Sequence, residues 1–248
     1  MSSGKFDPMH QFEVHKLLDI NLFGLDASIT NQSMWMIFST LCIMILFIVG
    51  LRKRTLIPNK MQSFVEVTYD FIQDLVISST GIKGKSLIPL IFTIFSFIAM
   101  NNTLGLIPGS YTSTSQIALN FAMGLSVISF VICVGLYHHG LKFFTLFVPH
   151  GLPTVLKPFI ATLELISFFA RPFTLAIRLA ANMAAGHILL KVFSHFAVML
   201  ASVFVAYAIV PSAVLFGINL LELLVAVLQA YIFTILTCVY LNDAINLH

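Results

Sequence analysis

Arg178 is a charged residue in a setting that ordinarily excludes charge. It lies in an apolar stretch, Phe159 to Leu190, whose other formal charges are Glu164 and Arg171. A guanidinium keeps its proton at any working pH. Placed at mid-membrane it costs at least about 2.5–3.5 kcal/mol on insertion scales. A side chain near the middle of a long apolar segment cannot snorkel to the interface. Two readings stay open: a buried ion pair that fixes helix packing, or a fixed positive charge that acts on an ion or on a partner's carboxylate.

Helical spacing sorts the neighbours. Glu164 and Asn182 fall within about 40° of the Arg178 face, and His187 lies about 180° around. On the following segment Asn219, Glu222, Gln229 and Asp243 form a polar stripe, and Glu222 is the only formal charge between Val192 and Asn242. Carboxylates and an imidazole exchange protons, and an arginine does not. Titratable groups on opposite sides of a permanent cation suggest two aqueous half-paths that do not meet. Glu222, His187 and Asn219 belong to one, Glu164 and Asp243 to the other. Asn182 and Gln229 are flanking polar groups or packing hydrogen bonds.

The elements that must hold these residues follow from composition. Of 248 residues 58% are apolar and only 9% charged, where a soluble domain carries about 25% charge. A core of this length cannot hide that much apolar surface from water. A soluble enzyme, a disordered chain and a nucleic-acid binder are excluded. The expected fold is an all-α integral membrane protein in one membrane domain, residues 1–248. An outer-side segment, 1–33, precedes the first span, 34–51. An amphipathic surface helix covers 60–78, a transmembrane hairpin 87–137, and two long tilted helices 158–208 and 211–244. The last two exceed the roughly 30 Å hydrocarbon core, which implies a break or steep tilt. The stretch around Pro149, Gly151, Pro153 and Pro158 reads as an irregular loop.

Six of the thirteen basic residues, Arg52, Lys53, Arg54, Lys60, Lys83 and Lys85, lie in one connection. The positive-inside rule places it on the inner side, the N-terminus outside and the C-terminus inside. Its amphipathic helix carries Phe64, Val65, Ile72 and Val76 on one face and Glu66, Asp70 and Asp74 on the other. It is expected flat on the inner membrane surface, or against a soluble partner. The first 30 residues show neither a signal peptide's apolar core nor an import sequence, so synthesis where the protein is used is expected. Asn101 and Asn102 fit interhelical hydrogen bonds or a pore lining. Arg171 suits a structural pair with Glu164, and His195 a packed or interfacial place. Cys42, Cys133 and Cys238 show no disulfide or zinc pattern, and His138 and His139 cannot share one helix face. No metal or cofactor is expected.

RPFTLAIRLAANMAAGHILL (Arg171 to Leu190) resembles the most characteristic segment of subunit a of the F-type ATP synthase. LELLVAVLQAYIFTILTCVYLNDAINLH (Leu221 to His248) resembles the same family's last helix. NNTLGLIPGSYTSTS (Asn101 to Ser115) and DPMHQFEVHKL (Asp7 to Leu17) are similar to its second-span signature and to alphaproteobacterial and mitochondrial members. The resemblance implies a non-catalytic, proton-translocating stator in the inner membrane. Its partners are the c-ring rotor, peripheral-stalk b-type subunits and the remaining ATP synthase subunits. Arg178 is then the essential arginine that faces the rotor carboxylate. Glu222 and His187, joined by Asn219 from the spacing, line the outer intake half-channel, and Glu164 and Asp243 the inner release half-channel. Many bacterial members carry the acid and the histidine exchanged between positions 187 and 222.

A self-contained proton-coupled transporter is the competing class, but it needs an internal repeat, and the charges inside apolar segments, Glu164 to Asp243, are gathered at one end of the chain. No G-x-x-x-x-G-K-[ST] pattern occurs, so ATP chemistry belongs to other subunits.

Overall fold

The computed structural model describes residues 13–19, 21–22, 25–26, 28–52, 58–107, 110–140, 142–143, 156–203 and 209–246. Among them are six α-helices: α1 (Asn31–Leu51), α2 (Lys60–Thr80), α3 (Ile88–Gly105), α4 (Ile117–His139), α5 (Lys157–Val203) and α6 (Ile209–Ile245). All but α2 are long and apolar enough to cross a membrane. The protein is an all-α membrane protein, as its composition requires. The residues preceding α1 add small antiparallel pairings that the sequence did not signal: β1 (Lys16–Leu18) with β4 (Ile29–Thr30), and β2 (Asn21–Leu22) with β3 (Leu25–Asp26).

Local chemistry sets the helix ends. The Thr30 and Ser33 hydroxyls each accept the other's backbone N–H at the start of α1, which satisfies amides that a helix leaves open. Gly81, at φ 68, closes α2 with its N–H on the Ile77 carbonyl, a conformation that suits glycine. Pro158 and Pro211 sit in the first turns of α5 and α6, where a missing N–H costs nothing. Pro158 therefore opens a helix. The remainder of the expected irregular loop, 144–155, lies outside the described residues, as do 204–208 at the end of the expected 158–208 helix.

At 47 and 37 residues, α5 and α6 are about 70 and 55 Å long, far more than a bilayer core. In α5 the buried positions lie between Phe168 and Met183, and in α6 they run from Glu222 to Ile245.

The chain divides into two compact units. The first comprises Met1–Cys42, Ile98–Gln116 and Leu179–Gln229, the second Ile43–Phe97, Ile117–Arg178 and Ala230–His248. In the first, Ser39 Oγ donates to Asn101 Oδ1 at 3.0 Å, and Asn102 Nδ2 donates to the Ala226 carbonyl at 3.0 Å. Both asparagines are buried and join neighbouring helices, one of the two roles expected of them.

In the second unit, α2 packs on its membrane neighbours through one side. Val65 meets Gly50 of α1, Tyr69 meets Phe92 of α3, and Phe71 meets Phe95 and Tyr231. Val65, Ile72, Leu75 and Val76 are buried, while Met61, Phe64, Val67 and Phe71 stay exposed. Only part of the apolar stripe is thus covered by protein. Glu66, Asp70 and Asp74 face outward. On α4, Gly124 lies against Pro172 of α5: a Cβ there would stand 3.1 Å from the proline Cβ and 3.2 Å from its carbonyl oxygen. His139 Nε2 reaches the Ile245 carbonyl at 2.8 Å, near the end of α6.

Candidate functional site

The first unit gathers His187, Glu222 and Asn219. Thr112, in the connection between α3 and α4, supplies a partner. Its hydroxyl lies 2.7 Å from His187 Nε2 and also donates to the Gly105 carbonyl at 3.2 Å. His187 Nε2 stands 3.8 Å from Glu222 Oε1. The Glu222 side chain is only 3% exposed, and neither carboxylate oxygen has a hydrogen bond among the described residues. A buried carboxylate without donors is expensive, and such a group marks function more often than packing. Room for it comes from Gly186, where any Cβ would overlap the carboxylate.

Beside this pair is a cavity of about 270 Å³, open on one side, lined by His187, Lys191 and Ser194 of α5, Asn219 and Leu215 of α6, and the end of α3 with Ser110. The spacing did not single out Lys191 or Thr112. Lys191 follows His187 by four residues, so one helix face presents both. At the edge of the same region Tyr111 accepts a 2.7 Å bond from Gln116 Nε2. Burial raises the phenol above its ordinary pKa, and the Gln116 bond opposes the rise.

The second unit gathers Glu164, Arg171 and Asp243. Arg171 reaches Glu164 Oε1 at 3.4 Å and Asp243 Oδ2 at 3.7 Å, with its guanidinium 5.4 Å over the Tyr240 ring. The pairing with Glu164 was expected from the spacing, and that with Asp243 was not. One arginine thus ties both acids of the expected release side, each side chain about a third exposed. Arg178 is exposed, on the same face of α5 as exposed Thr174.

Asn182 is half-buried and Gln229 buried, and neither makes a hydrogen bond among the described residues. His195 is exposed.

A family model described as ATP synthase A chain matches residues 33–242. The chain belongs to the ATP synthase A chain family. Curated relatives agree along nearly its whole length. The ATP synthase subunit a of Bartonella henselae is 43% identical over 249 residues, covering 99% of each chain. That of Bartonella bacilliformis is 43% identical with the same coverage. That of Bartonella tribocorum is 44% identical over 243 residues, covering 97% of this chain and 96% of its own. The resemblance carried by Arg171–Leu190 and Leu221–His248 is therefore a relationship across the chain, of the alphaproteobacterial type. As a family member with five apolar spans, it is a multi-pass subunit of the ATP synthase membrane sector.

Proposed function

We propose that this chain is the proton-translocating stator of an F-type ATP synthase, itself without catalytic activity. Arg178 faces a carboxylate on the rotor. Protons enter from the outer side past His187, Asn219 and Glu222, load the rotor carboxylate, and leave on the inner side past Glu164 and Asp243. Asn182 and Gln229 flank the crossing point. The partners are the c-ring, the b-type subunits of the peripheral stalk and the remaining subunits. The N-terminus lies outside, the C-terminus inside.

The observation that carries this reading is the exposure of Arg178 on a stretch of α5 whose other side, with Leu175, Ala176, Leu179 and Ala180, is buried. A permanent cation facing lipid is costly. Facing an acid it becomes useful: the ionised carboxylate is held near Arg178, and the protonated one is free to pass into the bilayer. Because the guanidinium cannot relay a proton, the intake and release paths stay separate and the gradient does not leak. Glu222 and His187 offer one acid and one imidazole 3.8 Å apart, a pair able to hand a proton inward by tautomer and carboxyl exchange.

The test is ATP-driven proton pumping in inverted membrane vesicles carrying Arg178→Ala. The expected result is assembled complex with pumping abolished. Normal pumping by this variant would overturn the proposal.

A further inference from the structure

The cavity beside His187 has an unexpected sign. Its one fixed charge is the Lys191 ammonium, and among the described residues no carboxylate lines it. Lys191, Ser194 and Asn219 make no hydrogen bond or ion pair among those residues, so three donor-bearing side chains face the same space with their capacity unused. Ser110 contributes an oxygen, because its hydroxyl proton is directed to the Gly105 and Ile107 carbonyls. The other charged or titratable groups at this place are His187 on α5, Glu222 on α6 at 3.8 Å from the imidazole, and Tyr111 at the edge, whose phenol burial holds neutral.

A fixed cation at the mouth of a proton path repels hydronium, and a field of that sign concentrates anions instead. Free protons near neutrality are scarce, and association at about 10⁹–10¹⁰ M⁻¹s⁻¹ limits their direct supply. A buffer anion that carries a titratable proton meets both conditions, since it is abundant and is drawn toward Lys191. We propose that this cavity binds a small protonated oxyanion, of which dihydrogen phosphate is the model, and that the bound anion is the proton donor to His187. Its oxygens accept from the Lys191 ammonium, the Ser194 hydroxyl and the Asn219 amide. One O–H bond of dihydrogen phosphate breaks, an N–H bond forms on the neutral imidazole, and hydrogen phosphate leaves. Charge and protons balance without another reactant.

This inference rests on the half-channel reading, and the experiment separates the two. The complete ATP synthase is reconstituted in liposomes with the outer side of subunit a facing the lumen. ATP synthesis is followed at fixed lumenal pH and fixed external phosphate. The lumen holds either phosphate at rising concentration or bis-Tris, whose protonated form is a cation.

The expected result is a saturable rise with lumenal phosphate and none with bis-Tris. Lys191→Gln should lower the phosphate-dependent increment by about tenfold, the lower range of charge-steering effects, and Lys191→Arg should retain it. Equal behaviour of the two buffers in the unmodified enzyme would overturn the proposal. So would a phosphate dependence undiminished in Lys191→Gln. A wild-type rate that ignores lumenal phosphate yet falls in Lys191→Gln would assign the ammonium to a lipid phosphate and likewise overturn the soluble-carrier proposal. If Glu222→Leu keeps full synthesis in both buffers, the half-channel reading itself fails, whatever phosphate does.

Discussion

Gly186 is a residue whose importance lies in what it lacks. Its missing Cβ leaves the space that the Glu222 carboxylate fills. Gly186→Ala must push that carboxylate away from His187 or spread the helices. ATP-driven pumping in vesicles should fall by about tenfold or more, since displacements of the order of 1 Å at a reacting group cost up to about 100-fold. Ala213→Gly, at an exposed position in the first turns of α6, is the control. Equal pumping by the two variants would mean that the Glu222 position does not limit the flux.

The polarity of this site was legible in the sequence. An acid and an imidazole in apolar segments stand out by type alone. The Thr112 partner was not legible, because 75 residues separate it from His187 and no periodicity reports such a distance. Lys191, four residues from His187, was not legible as part of the site, because a lysine that ends an apolar run reads as an ordinary interfacial charge.

Between helices, the second unit shows how one side chain orders two others. Arg171 binds Glu164 on its own helix and Asp243 on α6. Exposed pairs contribute little to stability, about 0–1 kcal/mol, and these groups are about a third accessible. The effect of Arg171→Gln is therefore expected in transport, with proton release slowed several-fold while complex yield stays near wild type. Arg171→Lys should recover part of the loss, since it keeps the charge and gives up the two-pronged geometry. Release is read as the rate of passive proton flux after removal of the soluble head. Wild-type flux in Arg171→Gln would reduce this node to an ornament of packing.

Gly124 tests a different link, from packing to stability. A larger side chain there meets the Cβ and carbonyl of Pro172. Gly124→Val should destabilise the chain by about 1–3 kcal/mol, as overpacking does, seen as earlier loss of the complex in a detergent thermal-shift series. Such close approaches hide from a sequence, since glycine looks the same whether it caps, bends or makes room. The helices themselves did not hide: uncharged runs of about 20 residues announce spans. The short pairings from β1 to β4 were invisible because two or three residues are too few for any alternation.

For the whole molecule the decisive fact is which surface lacks a lipid-compatible composition. Helix α1 exposes Ile37, Leu41, Met44, Ile45 and Ile48, a surface that hydrocarbon satisfies. Helix α5 exposes Arg178 together with Thr174, Ala181 and Ala185, three to seven residues away and hence on one face. Small side chains allow a neighbouring helix to approach closely in a membrane, and a cation among them calls for an acid on that neighbour. This face is therefore expected to be covered in the assembled enzyme, while α1 keeps its lipid.

Single cysteines at Ala181 and Ile45, in a background with Cys42, Cys133 and Cys238 replaced, make the comparison. A membrane-permeant maleimide should label the Ile45 position at the same rate in the complex and in the isolated subunit. The Ala181 position should react about tenfold more slowly in the complex, as expected where a packed helix excludes the reagent. Equal labelling of Ala181 in both states would leave Arg178 facing lipid, at a cost that no other contact among the described residues offsets, and the rotor-facing assignment of α5 would have to be given up.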